Sequence, residues 1–306
     1  MIDDHAAVLS AAAAHFNFGR IRVVSDQPLL IETERGMKKI RVWENNALLK
    51  IHLKWRERVS GDQFLVDRMY VTRAGYPLVR LGRLSVTCHD APSLLFKQEG
   101  NEKTLAQLID YLFQNSRGIP AEKPVGSYNA YVHQLYEQTK NSESVQQSEI
   151  WSMVSACFSS ACARAETADR LRKAHHGRST VFLLPEDFSY HSFFSLFDTI
   201  FFEIGQSRPV NGYGRIAAFF LDKSLMCSEQ SMHRLFEAVR ENGSMDREMV
   251  DLLLAEWYEP AEWVRLLHYG ASSRVQDNDL IIQEFRKIWD RKIKLIKVFE
   301  SIVMQP

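Results

Sequence analysis

The sequence predicts an α+β protein in which a β-rich first third carries one helix and the remainder is mainly helical. Three observations carry this. Short runs with period-2 alternation and β-branched residues recur between residues 21 and 88, as half-buried strands require. From Lys103 onward apolar residues return every three or four positions instead, the period of a helix with one buried face. The chain has 306 residues, 45% of them hydrophobic and 25% charged, enough to bury a core in one large or two medium domains.

The elements follow in order. Residues 6–14, alanine-rich and preceded by Asp3 and Asp4, read as a short amphipathic helix. Residues 21–24, 29–33 and 39–43 read as strands, the last two flanking Glu34-Arg35-Gly36, a tight turn in which glycine accommodates positive φ. Residues 47–59 switch to helical spacing through Leu48, Leu49, His52 and Trp55. Strand character returns at 64–71 and 84–88, with turn chemistry at Ala74-Gly75-Tyr76-Pro77 between them. Beyond, Leu105, Leu108, Ile109, Leu112 and Phe113 make one apolar stripe, and 149–172 form a long second helix. Residues 120–127 and 139–148 are loops, and 181–184 a short apolar strand. Residues 192–204 fit a buried hairpin or a helix equally. Helices are expected at 228–242, 246–257, 262–268 and 279–303, and no internal repeat is visible.

Charge and cysteine usage exclude several classes. Lysine plus arginine, 38, equals aspartate plus glutamate, 38, which argues against a nucleic-acid partner held by bulk positive charge. No apolar run approaches the ~20 residues of a membrane span, and the N-terminus lacks a secretory signal pattern. Cys88, Cys157, Cys162 and Cys227 form neither CxxC pairs nor a dense framework, so reduced thiols in an intracellular protein are expected.

Three stretches carry a family resemblance. The hairpin 30–43 resembles a segment ending in an ATP-contacting lysine. Pro185-Glu186-Asp187-Phe188-Ser189-Tyr190-His191-Ser192 looks like a catalytic loop of the form His-Gly-Asp with Asn five residues after the Asp. Tyr258-Glu259-Pro260-Ala261-Glu262-Trp263, with His268-Tyr269 beyond, is similar to a proline-aromatic segment near the end of such chains. On these residues the chain resembles the CotS-type spore-coat kinase-like proteins of endospore-forming bacteria, within the aminoglycoside/choline phosphotransferase branch. The resemblance implies a protein-kinase-like two-lobe fold. Residues 1–92 would form the β-rich lobe, a small antiparallel sheet with one helix, and 93–306 the larger, mainly helical lobe.

Phosphoryl transfer needs a cation on the nucleotide phosphates, a carboxylate to take the acceptor proton, and oxygen ligands for Mg²⁺. The resemblance places the lysine on Arg41, whose planar group does not replace lysine without loss. It places the catalytic base on Asp187, the supporting histidine on Pro185, the glycine on Glu186 and the metal-binding asparagine on Ser192, a shorter ligand. The metal-binding aspartate falls on Phe201, which binds no cation. Asp198 and Glu203 lie nearby, and a shifted alignment would bring one of them into that role. No glycine-rich loop is present; Phe18-Gly19-Arg20 holds a lone glycine.

Each feature also has a plainer reading. Asp187 suits a turn or a helix cap, Arg41 an exposed strand charge, and His191 a core or surface histidine without companion ligands. His175-His176 beside Lys173 and Arg178 reads as a solvated helix end. Cys157 and Cys162, five apart, share a helix face poorly. Ser159 and Ser160 lack nucleophile-elbow glycines. In the last helix Arg286, Lys287, Arg291, Lys292, Lys294 and Lys297 interleave with apolar residues. That helix is a candidate docking surface for an acidic partner or a membrane surface, and more simply a core-packed helix with a solvated basic face. Trp257, Tyr258 and Trp263 read as packing anchors.

The losses at Pro185, Ser192 and Phe201 make a pseudokinase the expected function. The resemblance adds a spore-coat or sporulation-associated scaffold role, other proteins as partners, and a place in the mother-cell cytoplasm or the coat itself. No cofactor is expected. ATP and Mg²⁺ enter only under the alternative, a small-molecule phosphotransferase with Asp187 as base and Asp198 or Glu203 on the metal. An unclassified helical binding protein is the third reading.

Overall fold

The computed structural model describes residues 2–61, 63–119, 126–141, 149–175, 180–243, 245–271 and 278–303. Along the chain run α1 (Ile2–Phe16), β1 (Ile21–Asp26), β2 (Leu29–Thr33), β3 (Gly36–Trp43), α2 (Asn46–Val59), β4 (Leu65–Val66), β5 (Val79–Leu81) and β6 (Leu84–Asp90). Then follow α3 (Glu102–Asn115), β7 (Arg117–Gly118), α4 (Tyr128–Thr139), α5 (Glu149–Ala174), β8 (Val181–Pro185), β9 (Phe193–Leu196), β10 (Thr199–Phe202) and β11 (Pro209–Asn211). The chain ends in α6 (Gly212–Met226), α7 (Glu229–Glu241), α8 (Arg247–Tyr258), α9 (Ala261–Ala271) and α10 (Asn278–Val303). Two compact units result: Met1–Gln98 with Leu184–Pro209, and Glu99–Leu183 with Val210–Pro306. The expected division after residue 92 therefore differs in one respect that matters: the segment holding Asp187, Ser192 and Glu203 belongs with the sheet.

The first unit is built on a five-stranded antiparallel sheet of order β1-β2-β3-β6-β5. Its strands alternate, and the alternation gives two unlike faces. Ile40 pairs with Cys88 and Val42 with Val86; with Leu29, Ile31 and Val79 they form an apolar face that α1 covers through Val8, Ala11, Ala12 and Phe16. Lys39, Arg41 and Trp43 point the other way, beside Thr87 and His89 of β6. On this polar face the α2 ring of His52 meets Trp43 edge-on, centroids 4.9 Å apart. Asn45 caps α2, its side chain accepting from the amides of Ala47 and Leu48, which satisfies otherwise orphaned donors.

One expectation is corrected here, and one pair of alternatives is resolved. The strand expected at 64–71 shortens to Leu65–Val66 and leaves the main sheet, running parallel to β10 in a three-stranded sheet of order β4-β10-β9. Asp67 ends it with φ +41°, outside the extended region, and β5 takes the vacated place beside β6. Residues 192–204, open between hairpin and helix, contain the β9–β10 hairpin; its turn residues Phe197 and Asp198 both have positive φ, matching strand twist.

The second unit is mainly helical. Its small β7–β8 pair carries Phe182, whose ring packs edge-on against Phe113 and Tyr213. A Cβ on Gly212 would lie 2.3 Å from that ring, so only glycine opens α6 there. Helix α6 itself was not among the expected elements. A buried ion cluster joins three helices: Arg164 of α5 and Lys292 of α10 both bond the Glu262 carboxylate of α9, at 2.7 and 2.8 Å. Trp257 and Trp263 are buried, their indole N–H groups donating to the carbonyls of Ala217 and Val154. In α10 Lys292 is buried and Arg291 bonds Ser224 and the Cys227 carbonyl, while Arg286, Lys287, Lys294 and Lys297 are exposed. His175 bonds Asp251 at 3.0 Å and is not a solvated end; His176 and Arg178, like most of the expected loops 120–127 and 139–148, lie outside the described residues. No helix among the described residues is long and apolar enough to cross a membrane.

Candidate functional site

The polar face of the sheet, with the segment Glu203–Ser207 against it, forms the candidate site. It begins with β3. Period-2 alternation puts Lys39 and Arg41 on one side, and both guanidinium and ammonium reach Glu203, which follows β10. Arg41 Nη2 donates to Glu203 Oε1 at 3.4 Å, and Lys39 Nζ bonds the same oxygen. Arg41 Nη1 donates to Asp67 Oδ2 at 3.0 Å. Arg41 is 5% exposed and Asp67 1%, so the expectation of an exposed strand charge at Arg41 is overturned. The cause is that one planar fork satisfies two carboxylates, each brought in by a different strand end.

Asp67 is the centre of the network. His89 Nδ1 lies 3.1 Å and Arg56 Nε 3.8 Å from the same Oδ2, and Arg56 also donates to the Asp67 carbonyl at 2.6 Å. Burial works to raise the Asp67 carboxyl, but the charges of His89, when protonated, Arg41 and Arg56 outweigh it and hold it well below the usual range. Burial holds His89 below its ordinary value, against the pull of Asp67. His89 is therefore neutral near pH 7, with Nε2 sharing a 2.8 Å hydrogen bond with Thr87 Oγ1, which also accepts from Trp43 Nε1 at 2.9 Å.

Asp187 stands apart from these cations. It is exposed, in a turn closed by the Phe188 amide donating to the Pro185 carbonyl at 3.0 Å. Ser207 Oγ donates to Asp187 Oδ1 at 2.5 Å, and Asp187 Oδ2 packs so closely over Gly205 that a Cβ there would lie 1.6 Å away. The Ser207 carbonyl in turn bonds His52, whose ring burial keeps below its ordinary value. Ser192 contributes its carbonyl to the Glu203 amide at 2.8 Å. Its hydroxyl is engaged locally, accepting from the Ser189 amide at 3.2 Å. Phe201 is fully buried, Asp198 sits at the exposed hairpin tip, and His191 is exposed. The structure thus brings Arg41, Glu203 and the Ser192 backbone together, and leaves Asp198 out.

Where a glycine-rich loop would join β1 to β2, the turn reads Asp26-Gln27-Pro28. It has no glycine, and proline has no N–H. Among the described residues no three histidine, cysteine, aspartate or glutamate side chains gather as a metal ion would need. Lys39, Asp67, His89, Ser207 and Gly205 were not among the expected site residues. Lys39 was findable, two positions from Arg41 and so on its face. Glu203-Ile204-Gly205 was findable as an acidic residue preceding a glycine. Asp67 had no local signal.

No protein-family profile matches the chain, and no curated protein matches it. Solved structures do. An aminoglycoside phosphotransferase from Alicyclobacillus acidocaldarius is 11% identical and superposes with a TM-score of 0.72, over 98% of this chain and 96% of that one. A spectinomycin phosphotransferase in its AMP-bound complex gives 10% identity and 0.59, over 98% of both chains. The same enzyme with ADP and spectinomycin gives 11% and 0.55, over 98% of both. The fold is the protein-kinase-like α+β fold, an antiparallel sheet unit and a helical unit.

Proposed function

We propose that this chain is a pseudokinase: a kinase-like scaffold that binds other proteins and transfers no phosphoryl group. The observation that carries the reading is the self-neutralised charge at the polar face. Lys39 and Arg41, the cations available for phosphates, are paired with Glu203 and Asp67. Glu203, the carboxylate available for a metal, is paired with them. These groups do not fit a magnesium nucleotide, since binding one would require breaking ion pairs of which one is fully desolvated. The Ser192 hydroxyl closes its own turn, and the Asp26-Gln27-Pro28 turn offers phosphates few amides and one repelling charge. The CotS-type resemblance extends the proposal to a sporulation-associated role, in the mother-cell cytoplasm or within the spore coat, with coat proteins as partners.

A second reading rests on Asp187, an exposed carboxylate oriented by Ser207. As a base it would serve ATP-dependent transfer to a small hydroxyl or amine, the reaction class of the aminoglycoside phosphotransferase neighbours. Calorimetric titration with ATP, with and without Mg²⁺, separates the two. The scaffold reading expects no heat and no thermal stabilisation at millimolar nucleotide, and expects Asp187→Asn to retain partner binding. Micromolar binding strengthened by Mg²⁺ would overturn it.

A further inference from the structure

The last turn of α6 holds a pair of side chains that the polar face does not use. Lys223 and Cys227 are four residues apart, the spacing that places side chains over one another on a helix. Lys223 is 0% exposed, which lysine seldom is without an anionic partner. Among the described residues its ammonium has one hydrogen-bond acceptor, Cys227 Sγ at 3.5 Å. Cys227 itself is half-buried at the C-cap. Its amide donates to the Lys223 carbonyl at 2.9 Å. From α10, Arg291 donates to Ser224 Oγ at 3.2 Å and to the Cys227 carbonyl at 3.4 Å. The turn is therefore held from both sides, with the Lys223 ammonium at the thiol.

We propose that Lys223 and Cys227 form a reversible sulfur–nitrogen cross-link when the protein meets hydrogen peroxide. The Cys227 thiolate attacks peroxide: an S–O bond forms, the O–O bond breaks, and hydroxide leaves to become water. Sulfur loses two electrons and peroxide gains them, giving a sulfenic acid. One ammonium proton of Lys223 passes to solvent, and the neutral amine then attacks that sulfur. An N–S bond forms and the S–O bond breaks. The hydroxyl leaves as water with a second proton from that nitrogen. The product is a sulfenamide, the condensation sulfenic acids undergo with a neighbouring nitrogen. The folded helix holds the amine against the sulfur, which makes this step intramolecular and favours it over further oxidation. Two equivalents of an added thiol return amine and thiol and leave as their own disulfide.

The test treats the full native chain with hydrogen peroxide, alkylates remaining thiols, digests with trypsin and reads masses. The expected product is the peptide 216–234 left uncut after Lys223 and lighter by two hydrogens, with dithiothreitol restoring both mass and cleavage. Oxygen added at Met226 or Met232 shifts mass the other way. In Cys227→Ser, cleavage after Lys223 persists under peroxide; in Lys223→Met, Cys227 proceeds to sulfinic acid or a disulfide. Normal cleavage after Lys223 while Cys227 gains oxygen would overturn the proposal. So would an equal yield of the lighter peptide from the guanidinium-denatured chain.

Discussion

Replacing Asp67 by Asn removes one charge while keeping the shape, and Asn tolerates the φ of +41° at that position. The change strands Arg41 and Arg56 beside a neutral amide. Removing one partner of a buried pair costs about 3–5 kcal/mol because the other charge stays desolvated, against about 0–1 kcal/mol for a surface pair. Glu203 still reaches Arg41 at 3.4 Å, so the lower end, about 3 kcal/mol, is expected. Cys88 in β6 supplies the readout. Its thiol is buried in the same unit, and burial pushes it up to about 12, so it reacts only when the unit opens. With rapid reclosing, about 3 kcal/mol raises its labelling rate at pH 7 by roughly a hundredfold. Cys157, Cys162 and Cys227 belong to the other unit and serve as internal controls in the peptide map. The pH dependence follows from the sign of the shift: the folded-state value of Asp67 is depressed. Its contribution is present above the unfolded value near ~3.9 and fades as pH falls toward the folded one. The gap between wild type and variant therefore narrows in acid. A Cys88 rate within about threefold of wild type at pH 7, under about 1 kcal/mol, would refute a structural role for the network.

Glu203→Gln releases Lys39 and half-releases Arg41; one new charge-assisted bond to phosphate, about 1.5–3 kcal/mol, should raise pyrophosphate affinity at least about tenfold by calorimetry. A loss of nucleotide binding instead would favour the phosphotransferase reading. Gly212→Ala should destabilise by about 1–3 kcal/mol in scanning calorimetry, because its Cβ overpacks Phe182; stabilisation, the usual outcome of glycine to alanine in a helix, would contradict the packing. Glu259 is raised to about 7, by burial first and then by Glu256, against the pull of Arg172. The native state keeps that proton where the unfolded chain has lost it, so stability falls as pH rises from about 4.5 to about 7. Glu259→Gln should flatten that slope in urea unfolding between pH 5 and 8, and an unchanged slope would exclude Glu259 as its source.

Where structure is set by neighbours in sequence, the residues announced it. The hairpin around Gly36 and strand Leu29–Thr33 follow from alternation and one turn glycine, and α10 from its apolar spacing. Helix α6 did not announce itself, because Gly212 and Gly214 at its start resemble turn residues, and only contact with Phe182 explains the first of them. Strand β5 is three residues long, too short for periodicity to register. The site was half legible. Arg41, Asp187, Ser192 and Glu203 came from matching motif positions, but the partners of Arg41 lie 26 and 162 residues away. Nothing local to Asp67 distinguishes it from a surface aspartate, and the burial of Arg41 follows from that invisible partner.

The choice of arginine at position 41 now has a physical account. A lysine there would offer a compact, strongly hydrated charge, suited to one anion at a time and readily lent to a phosphate. The guanidinium spans Asp67 and Glu203 together, tying the end of β4 to the end of β10 across the face of β3. The helical unit uses the same device, with Arg164 bonding Glu262 while its second nitrogen takes the Trp257 carbonyl at the end of α8. In both units a long planar cation, buried against carboxylates from distant elements, acts as a bracket. A bracket must stay closed to do its work, whereas a phosphate-binding cation must open toward a ligand. Arg41, closed on Asp67 and Glu203, meets the first requirement, and it is on this commitment that the proposed scaffold reading rests.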